Sequence, residues 1–180
     1  MKSDIELLHE FKKGNPRAFD QLVLRHQKTI YFLALRLLGN EVEAQDLAQN
    51  TFVQVFRNAH RFKGKSEFKT WVFRIAVNLS KNHLRGRSRK NETDLDGLEL
   101  VSPSNPLSSV VSREEERELF RLVNRLPRKQ RITLILRIYK GFSYAEISSV
   151  LGCPVGTAKA NFHQAIKKLK SVLTPKGENL

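Results

Sequence analysis

The last quarter of the chain carries a helix-length stretch whose outward side chains could read DNA. From residue 154 onward, hydrophobic residues recur at helical spacing, so the other positions form an opposite face. That face carries amide, hydroxyl and ammonium groups and no carboxylate, at Thr157, Lys159, Ala160, Asn161, His163, Gln164, Lys167 and Lys168. Amides and hydroxyls pair with base edges in a major groove, and ammonium groups pair with phosphates. The face predicts DNA contact, with an ordinary solvated helix at the end of a bundle as the alternative.

A second stretch with a recognisable chemistry lies between residues 61 and 90, where cations stand next to aromatic rings. Rings stack on unpaired bases and cations follow phosphates, a combination that suits single-stranded nucleic acid. The candidate contacts are Arg61, Phe62, Lys63, Ser66, Phe68, Thr70, Arg74, Asn78, Lys81 and Arg85. The spacing of Phe68 and Trp71 equally fits a core aromatic cluster beside a solvated basic face. The pattern alone leaves both interpretations open.

A third surface lies on a helix expected to run from Asn40 to about His60. Its outward stripe reads Asp46, Gln49, Asn50, Val53 and Arg57, with Phe56 at its edge. A single exposed valine is common on protein surfaces and needs no function. The stripe is therefore either a protein-docking face or ordinary surface.

Catalytic and metal-binding patterns are missing from the sequence. The five histidines show no H-E-x-x-H or i, i+4 ligand pairing, and there is no glycine-rich phosphate loop. Cys153 is the single cysteine, so neither an intramolecular disulfide nor a cysteine-based metal site is expected. An enzyme such as a nuclease or a thiol-dependent hydrolase is disfavoured, and we expect no cofactor, no metal and no small-molecule substrate.

The composition favours a polyanionic partner. The 180 residues have a formal net charge of +14 and a pI near 10.2, which suits nucleic acid or an anionic membrane. No apolar run is long enough to span a membrane, and the N-terminus is too polar for a signal peptide. We therefore expect a cytoplasmic protein without membrane insertion.

The elements that must position these surfaces are all helical. Residues 1–88 and 113–180 are basic, whereas residues 89–112 hold more acidic than basic side chains and two prolines. The chain is predicted to be all-α, with an N-terminal helical domain (1–90), a flexible linker (91–112) and a C-terminal domain (113–180).

Helix boundaries are marked by capping residues. S-x-x-E capping boxes are predicted at Ser3, Ser112 and Ser143, and single caps at Asn15, Asn40 and Ser66. Pro16, Pro127 and Pro154 are expected in first helical turns. Gly152 ends the helix that starts after Ser143, and the next helix starts at Pro154 with Val155 in the core, so the C-terminal domain is predicted to contain a helix-turn-helix.

Three blocks of the chain resemble a known family. Asp46 to Asn58 (DLAQNTFVQVFRN), Phe68 to Arg85 (FKTWVFRIAVNLSKNHLR) and Leu126 to Ala160 are similar, in order and spacing, to extracytoplasmic-function sigma factors of the sigma-70 superfamily. The resemblance implies a two-domain helical protein that binds core RNA polymerase, melts promoter DNA and directs initiation at a specific regulon. A self-sufficient helix-turn-helix regulator is the rival, and it would bind duplex DNA tightly without polymerase.

The resemblance also implies roles for the three surfaces. Asp46, Gln49, Asn50, Val53 and Phe56 correspond to the segment that grips the clamp of the largest polymerase subunit. The contacts between Arg61 and Arg85 correspond to the reader of the melted minus-10 element, including a flipped base, and the face from Thr157 to Lys168 to the reader of the minus-35 element. An anti-sigma factor is an expected further partner and could hold the chain near the inner membrane.

Three departures from the family pattern concern these surfaces. Asn50 stands where the family usually has an acidic residue. After Gly156 and Thr157 the chain reads Ala-Lys-Ala-Asn in place of the usual Val-Lys-Ser-Arg, and His163 and Gln164 stand where arginine is frequent. The promoter sequence is therefore not carried over from the family.

Overall fold

The computed structural model describes residues 1–90 and 110–173. Throughout these residues the regular structure is helical, and the chain divides into two compact units, Met1–Val101 and Ser102–Leu180. The predicted all-α class with two helical domains is confirmed. Most of the predicted linker, residues 91–109, lies outside the described residues.

The first unit is built from four α-helices and one turn of 3-10 helix. Their bounds are α1 Asp4–Lys12, α2 Pro16–Leu38, α3 Glu41–Asn58, the 3-10 turn Ala59–Arg61, and α4 Phe68–Lys90. The predicted capping box of α1 is present, since Ser3 N donates to Glu6 Oε2 and Glu6 N donates to Ser3 Oγ. Asn40 caps α3 by accepting from Glu43 N at 2.9 Å.

One predicted cap in this unit is wrong in its chemistry. Asn15 does precede α2, and Pro16 is its first residue, but the Asn15 side chain makes no cap hydrogen bond. Its Nδ2 donates instead to Glu10 Oε2 at 3.3 Å. The Asn15 side chain therefore links the start of α2 to α1 and does not cap α2.

The core of the first unit lies between α2, α3 and α4, with α1 packed against α2. Leu22, Ile30, Val55, Phe68 and Phe73 are almost fully buried, and each such side chain contributes roughly 1.5–3 kcal/mol by leaving water. His26 of α2 is 9% exposed and its Nε2 lies 2.7 Å from Asp4 Oδ2. His26 is therefore a hydrogen-bonded residue at the boundary of the core.

The second unit contains α5 Val110–Arg125, α6 Arg128–Lys140, α7 Tyr144–Leu151 and α8 Val155–Leu173. The predicted cap at Ser112 is wrong, because α5 already begins at Val110. The S-x-x-E spacing spans one helical turn and so also occurs inside helices. Pro127 and Pro154 precede their helices rather than lying in the first turn, and their carbonyls accept from Arg131 N and Ala158 N.

One hydrophobic cluster of this unit joins α5, α6 and α8. Its five buried residues are Leu122, Leu126, Leu134, Ala165 and Leu169, with Val123, Phe162 and Ile166 packed around them. Ile147 and Val150 of α7 are buried as well. Val155, predicted to join this core, is 41% exposed. It is the first residue of α8, where the helix emerges from the turn before reaching its neighbours.

Candidate polymerase and nucleic-acid interfaces

An apolar groove of about 800 Å³ runs between α2 and α3. Its α3 side carries Gln49, Val53 and Phe56, three of the residues predicted to face the polymerase, and Val53 and Phe56 are 39% and 51% exposed. Asp46 and Asn50 are exposed on α3 but do not line the groove. A groove with an apolar floor and polar sides is the form that receives an amphipathic helix.

One wall of this groove comes from α2, whose part in it the sequence did not indicate. α2 contributes Phe19, Val23, Gln27, Lys28 and Tyr31. The Phe56 ring lies 5.1 Å from Phe11 and 5.2 Å from Phe19, so the end of the groove is an aromatic cluster. Val23, Gln27 and Tyr31 are spaced four apart and so lie on one face of α2. This spacing is the sequence feature that could have indicated the second wall of the groove.

A smaller pocket, of about 340 Å³, lies between α3 and α4. Arg61 and Asn78, both predicted minus-10 contacts, line it together with Trp71. The rest of the lining is Gln54, Asn58, Ile75, Leu79 and Asn82. An indole ring beside several amides and a guanidinium can stack on an unpaired base and pair with its edge.

The pocket amides show how the sequence could have indicated more of this site. Gln54 and Asn58 are four apart on α3, and Asn78 and Asn82 are four apart on α4, so each pair lies on one helix face. Asn58 Nδ2 donates to Gln54 O at 2.8 Å, which fixes one wall.

The loop before α4 is held in place by contacts at Phe62. The Phe62 ring lies 4.8 Å from the Trp71 ring, and Lys12 Nζ of α1 donates to the Phe62 carbonyl at 2.8 Å. Arg61 and Lys63 are exposed on either side, and Ser66 is half-buried. The predicted cap at Ser66 is one residue off, since Glu67 precedes α4 and its carbonyl accepts from Trp71 N.

Two predicted minus-10 contacts are buried. Phe68 is 1% exposed and Thr70 is 2% exposed. The Phe68 ring lies 5.6 Å from His26 of α2, so the first turn of α4 is covered by the rest of the domain. Neither residue can touch DNA in this fold, and their assignment as contacts is corrected to a place in the core.

The later turns of α4 do present the predicted basic face. Arg74, Asn78 and Arg85 are exposed and Lys81 is half-buried. They follow the pocket along one side of the helix, which suits a strand whose base enters the pocket while its phosphates continue along α4.

In the second unit, the helix-turn-helix is built as the sequence predicts. Ser143 and Glu146 form the capping box of α7, with Ser143 N donating to Glu146 Oε2 at 2.7 Å. Gly152 ends α7 at φ 66°, a left-handed conformation that favours glycine. Arg137 of α6 braces the turn before α7, because its guanidinium donates to the Phe142 carbonyl at 2.8 Å.

The predicted DNA-reading face of α8 is largely exposed. Its exposed members are Thr157, Lys159, Ala160, His163, Gln164, Lys167 and Lys168. Asn161 is half-buried, and its Nδ2 is buried without a hydrogen-bond partner in the described part of the chain. Gln164 Oε1 accepts from Gln130 Nε2 of α6 at 2.7 Å. Gln130 was not indicated by the sequence, since it is 34 residues away.

The fold and its surfaces define a class of protein. One helical unit carries an apolar groove and a smaller polar pocket, and the other carries a helix-turn-helix with a cationic outer face. Such a helix-turn-helix is typical of DNA-binding proteins.

Comparison with known proteins places the chain more closely. Residues 22–90 match Sigma-70 region 2 and residues 116–169 match Sigma-70, region 4. The chain is 34% identical to the RNA polymerase sigma-H factor of Pseudomonas aeruginosa, over 97% of this chain and 95% of that protein. It is 32% identical to the ECF RNA polymerase sigma-E factor of Escherichia coli K12, over 96% and 95% of the two chains.

Solved structures agree with these relatives. The structure of CnrH in complex with the cytosolic domain of CnrY has a TM-score of 0.73 at 25% identity, covering 96% of this chain and 97% of the other. The sigma factor RpoE of Bartonella quintana, solved with the anti-sigma factor NepR, has a TM-score of 0.73 at 26% identity, covering 88% and 98%.

The chain belongs to the extracytoplasmic-function group of the sigma-70 family. It is a promoter-specific transcription initiation factor that acts with core RNA polymerase and promoter DNA, and not an enzyme. The family decides against the self-sufficient regulator. Among the described residues, no helix is long and apolar enough to cross a membrane.

Proposed function

We propose that the groove between α2 and α3 holds a helix of the polymerase clamp. The groove is apolar at Val53 and Phe56 and edged by Gln49 and Gln27. Asp46 and Asn50, exposed outside the groove, then contact the flanks of the bound helix. Burying two half-exposed hydrophobic side chains supplies the affinity, and the polar edge fixes the orientation.

The pocket between α3 and α4 captures one base of the melted minus-10 strand, and this pocket is the observation that carries the proposal. Its volume of about 340 Å³ is at the lower end of the range for small-molecule sites, about 300–1,000 Å³. Trp71 supplies the stacking surface, while Asn78 and Arg61 supply hydrogen-bonding groups for the base edge. Arg74, Lys81 and Arg85 lie where the phosphates of the same strand would pass.

Base capture also accounts for DNA melting without covalent chemistry. Base-to-aromatic stacking is worth roughly 1–3 kcal/mol per base in alanine substitutions, and DNA stacking averages about 1.4 kcal/mol per base-pair step. One captured base therefore offsets the opening of about one step. A few captured bases are enough to trap a bubble once polymerase has positioned the duplex.

The exposed face of α8 reads the minus-35 element as a duplex. Thr157 and Gln164 offer groups for base edges, with the half-buried Asn161 between them, and Lys159, Lys167 and Lys168 offer phosphate contacts. His163 lies between the two sets. The two domains thus hold two separate parts of one promoter.

An anti-sigma factor is proposed as a third partner. Two similar chains were solved as complexes, CnrH with the cytosolic domain of CnrY and RpoE with the anti-sigma factor NepR. A cytoplasmic chain of this kind would be held inactive by such a partner, near the inner membrane if the partner is anchored there.

The residue assignments are tested by in vitro transcription with purified core polymerase on a promoter library. The wild-type chain is expected to give defined start sites and a two-part consensus. Trp71→Ala should lose minus-10 selectivity and Lys167→Ala should weaken binding at the minus-35 element. If Trp71→Ala keeps its minus-10 selectivity and Lys167→Ala keeps its binding at the minus-35 element, the assignment of the pocket and of α8 is overturned.

A further inference from the structure

A buried amide at the start of α6 touches the DNA-reading face of α8. Gln130 lies in the first turn of α6 and is 8% exposed. Its Nε2 donates to Gln164 Oε1 at 2.7 Å. Gln164 is exposed on α8, so a core side chain is bonded directly to a side chain of the predicted minus-35 surface.

The environment of Gln130 decides the polarity of this bond. In the observed orientation, Gln130 Oε1 is buried and has no hydrogen-bond partner among the described residues. If both amide groups were rotated by 180°, one hydrogen bond would remain, with Gln164 as the donor. The buried atom of Gln130 without a partner would then be its NH2 nitrogen. An unpaired buried N–H is rarer in proteins than an under-satisfied carbonyl oxygen. Gln130 is therefore the donor and Gln164 Oε1 the acceptor.

A fixed Oε1 leaves the other end of the Gln164 amide for DNA. A glutamine amide that rotates freely can present either a donor or an acceptor to a base edge. With Oε1 held by α6, the NH2 group of Gln164 is the end turned outward. Guanine presents two acceptors, N7 and O6, in the major groove, whereas cytosine presents only a donor, its N4 amino group.

We propose that Gln130 is a positioning residue that makes Gln164 select a hydrogen-bond acceptor, guanine over cytosine, at its base pair in the minus-35 element. The inference rests on the proposed reading of this element by α8. Part of the promoter preference is then set by a buried residue of α6.

The test measures base preference by transcription with core polymerase from a library randomised across the minus-35 element. Gln164→Ala first identifies the position that Gln164 reads. At that position Gln130→Leu, which removes the donor, should reduce the preference for guanine over cytosine by roughly 2- to 12-fold, the scale of one hydrogen bond.

A second variant at the same position should reverse the base preference. Gln130→Glu places a carboxylate, which only accepts, against Gln164, and should turn the Gln164 carbonyl outward. The preference should then shift towards cytosine. A carboxylate is tolerated in the first turn of a helix because of the helix dipole, and circular dichroism checks that both variants fold. Lys129→Gln is the control, since it changes the charge equally at an exposed neighbouring residue.

The outcomes separate the two proposals. If Gln164→Ala alters one position and both Gln130 variants leave that position unchanged, Gln130 has no positioning role and the assignment of α8 stands. If Lys129→Gln shifts the preference as Gln130→Glu does, charge and not amide polarity is responsible, and the inference is overturned. If Gln164→Ala alters no position, the assignment of Gln164 as a base reader fails, and this inference fails with it.

Discussion

Asn78→Ala is expected to weaken promoter opening while leaving polymerase binding intact. Asn78 is exposed on α4 and lines the pocket proposed to hold an unpaired base. Because the side chain is at the surface and alanine favours helix, the substitution should not unfold the domain. Its effect is therefore confined to contacts with DNA.

The magnitude follows from the contact that is lost. The variant keeps Trp71 and the other pocket amides, so the stacking contribution remains and about one hydrogen bond disappears. A hydrogen bond of roughly 0.5–1.5 kcal/mol corresponds to an open-complex equilibrium about 2- to 12-fold lower. Lys81→Ala should act in the same direction through a lost phosphate contact.

The assay is permanganate reactivity of unpaired thymines in the promoter, measured beside competition for core polymerase. Asn50→Ala is the matched control, because it removes the same amide from an exposed position of α3 outside the pocket. We expect it to weaken core binding and to leave opening by the assembled holoenzyme unchanged. Equal losses of opening and core binding in Asn78→Ala would refute the assignment of the pocket.

Three further substitutions test the other features of the fold. Val53→Asp puts a charge into the groove and should weaken core-polymerase binding by at least about tenfold in a competition assay. Val42 is exposed on α3 outside the groove, so the control Val42→Asp should leave core binding unchanged. Thr70→Val removes a buried hydroxyl without a partner among the described residues, so the melting temperature should stay equal or rise. A loss of promoter opening in this variant would show that Thr70 contacts DNA after all. Ser143→Ala removes the α7 cap and should destabilise the C-terminal domain by about 1 kcal/mol in denaturant unfolding; an unchanged midpoint would show that the cap contributes nothing.

Much of the fold was predictable because helix signals are local. The capping box of Ser143 and Glu146 lies within four residues, and the left-handed turn at Gly152 needs only glycine. Spacing of three and four residues separates the two sides of α3, since the side opposite the predicted outward stripe, including Thr51, is buried. These features depend on hydrogen bonds and packing within one or two turns.

The site was predictable only in part, because coverage of a helix depends on its neighbours. Thr70 has the spacing of a solvent-facing residue, yet α4 is covered at its start and open further along. Val155 shows the opposite case, with core spacing but 41% exposure at the start of α8. Periodicity gives the side of a helix and not the length over which that side is packed.

The sequence by itself determined where most of the helices lie, the capping boxes at Ser3 and Ser143, and the family to which the chain belongs. Tertiary structure decided how surfaces from different helices combine: the groove needs Tyr31 with Val53, and the pocket needs Gln54 with Asn78. It also decided the bond from Gln130 to Gln164. These partners lie far apart along the chain, and they meet only because burial of the apolar helix faces fixes which outward side chains become neighbours.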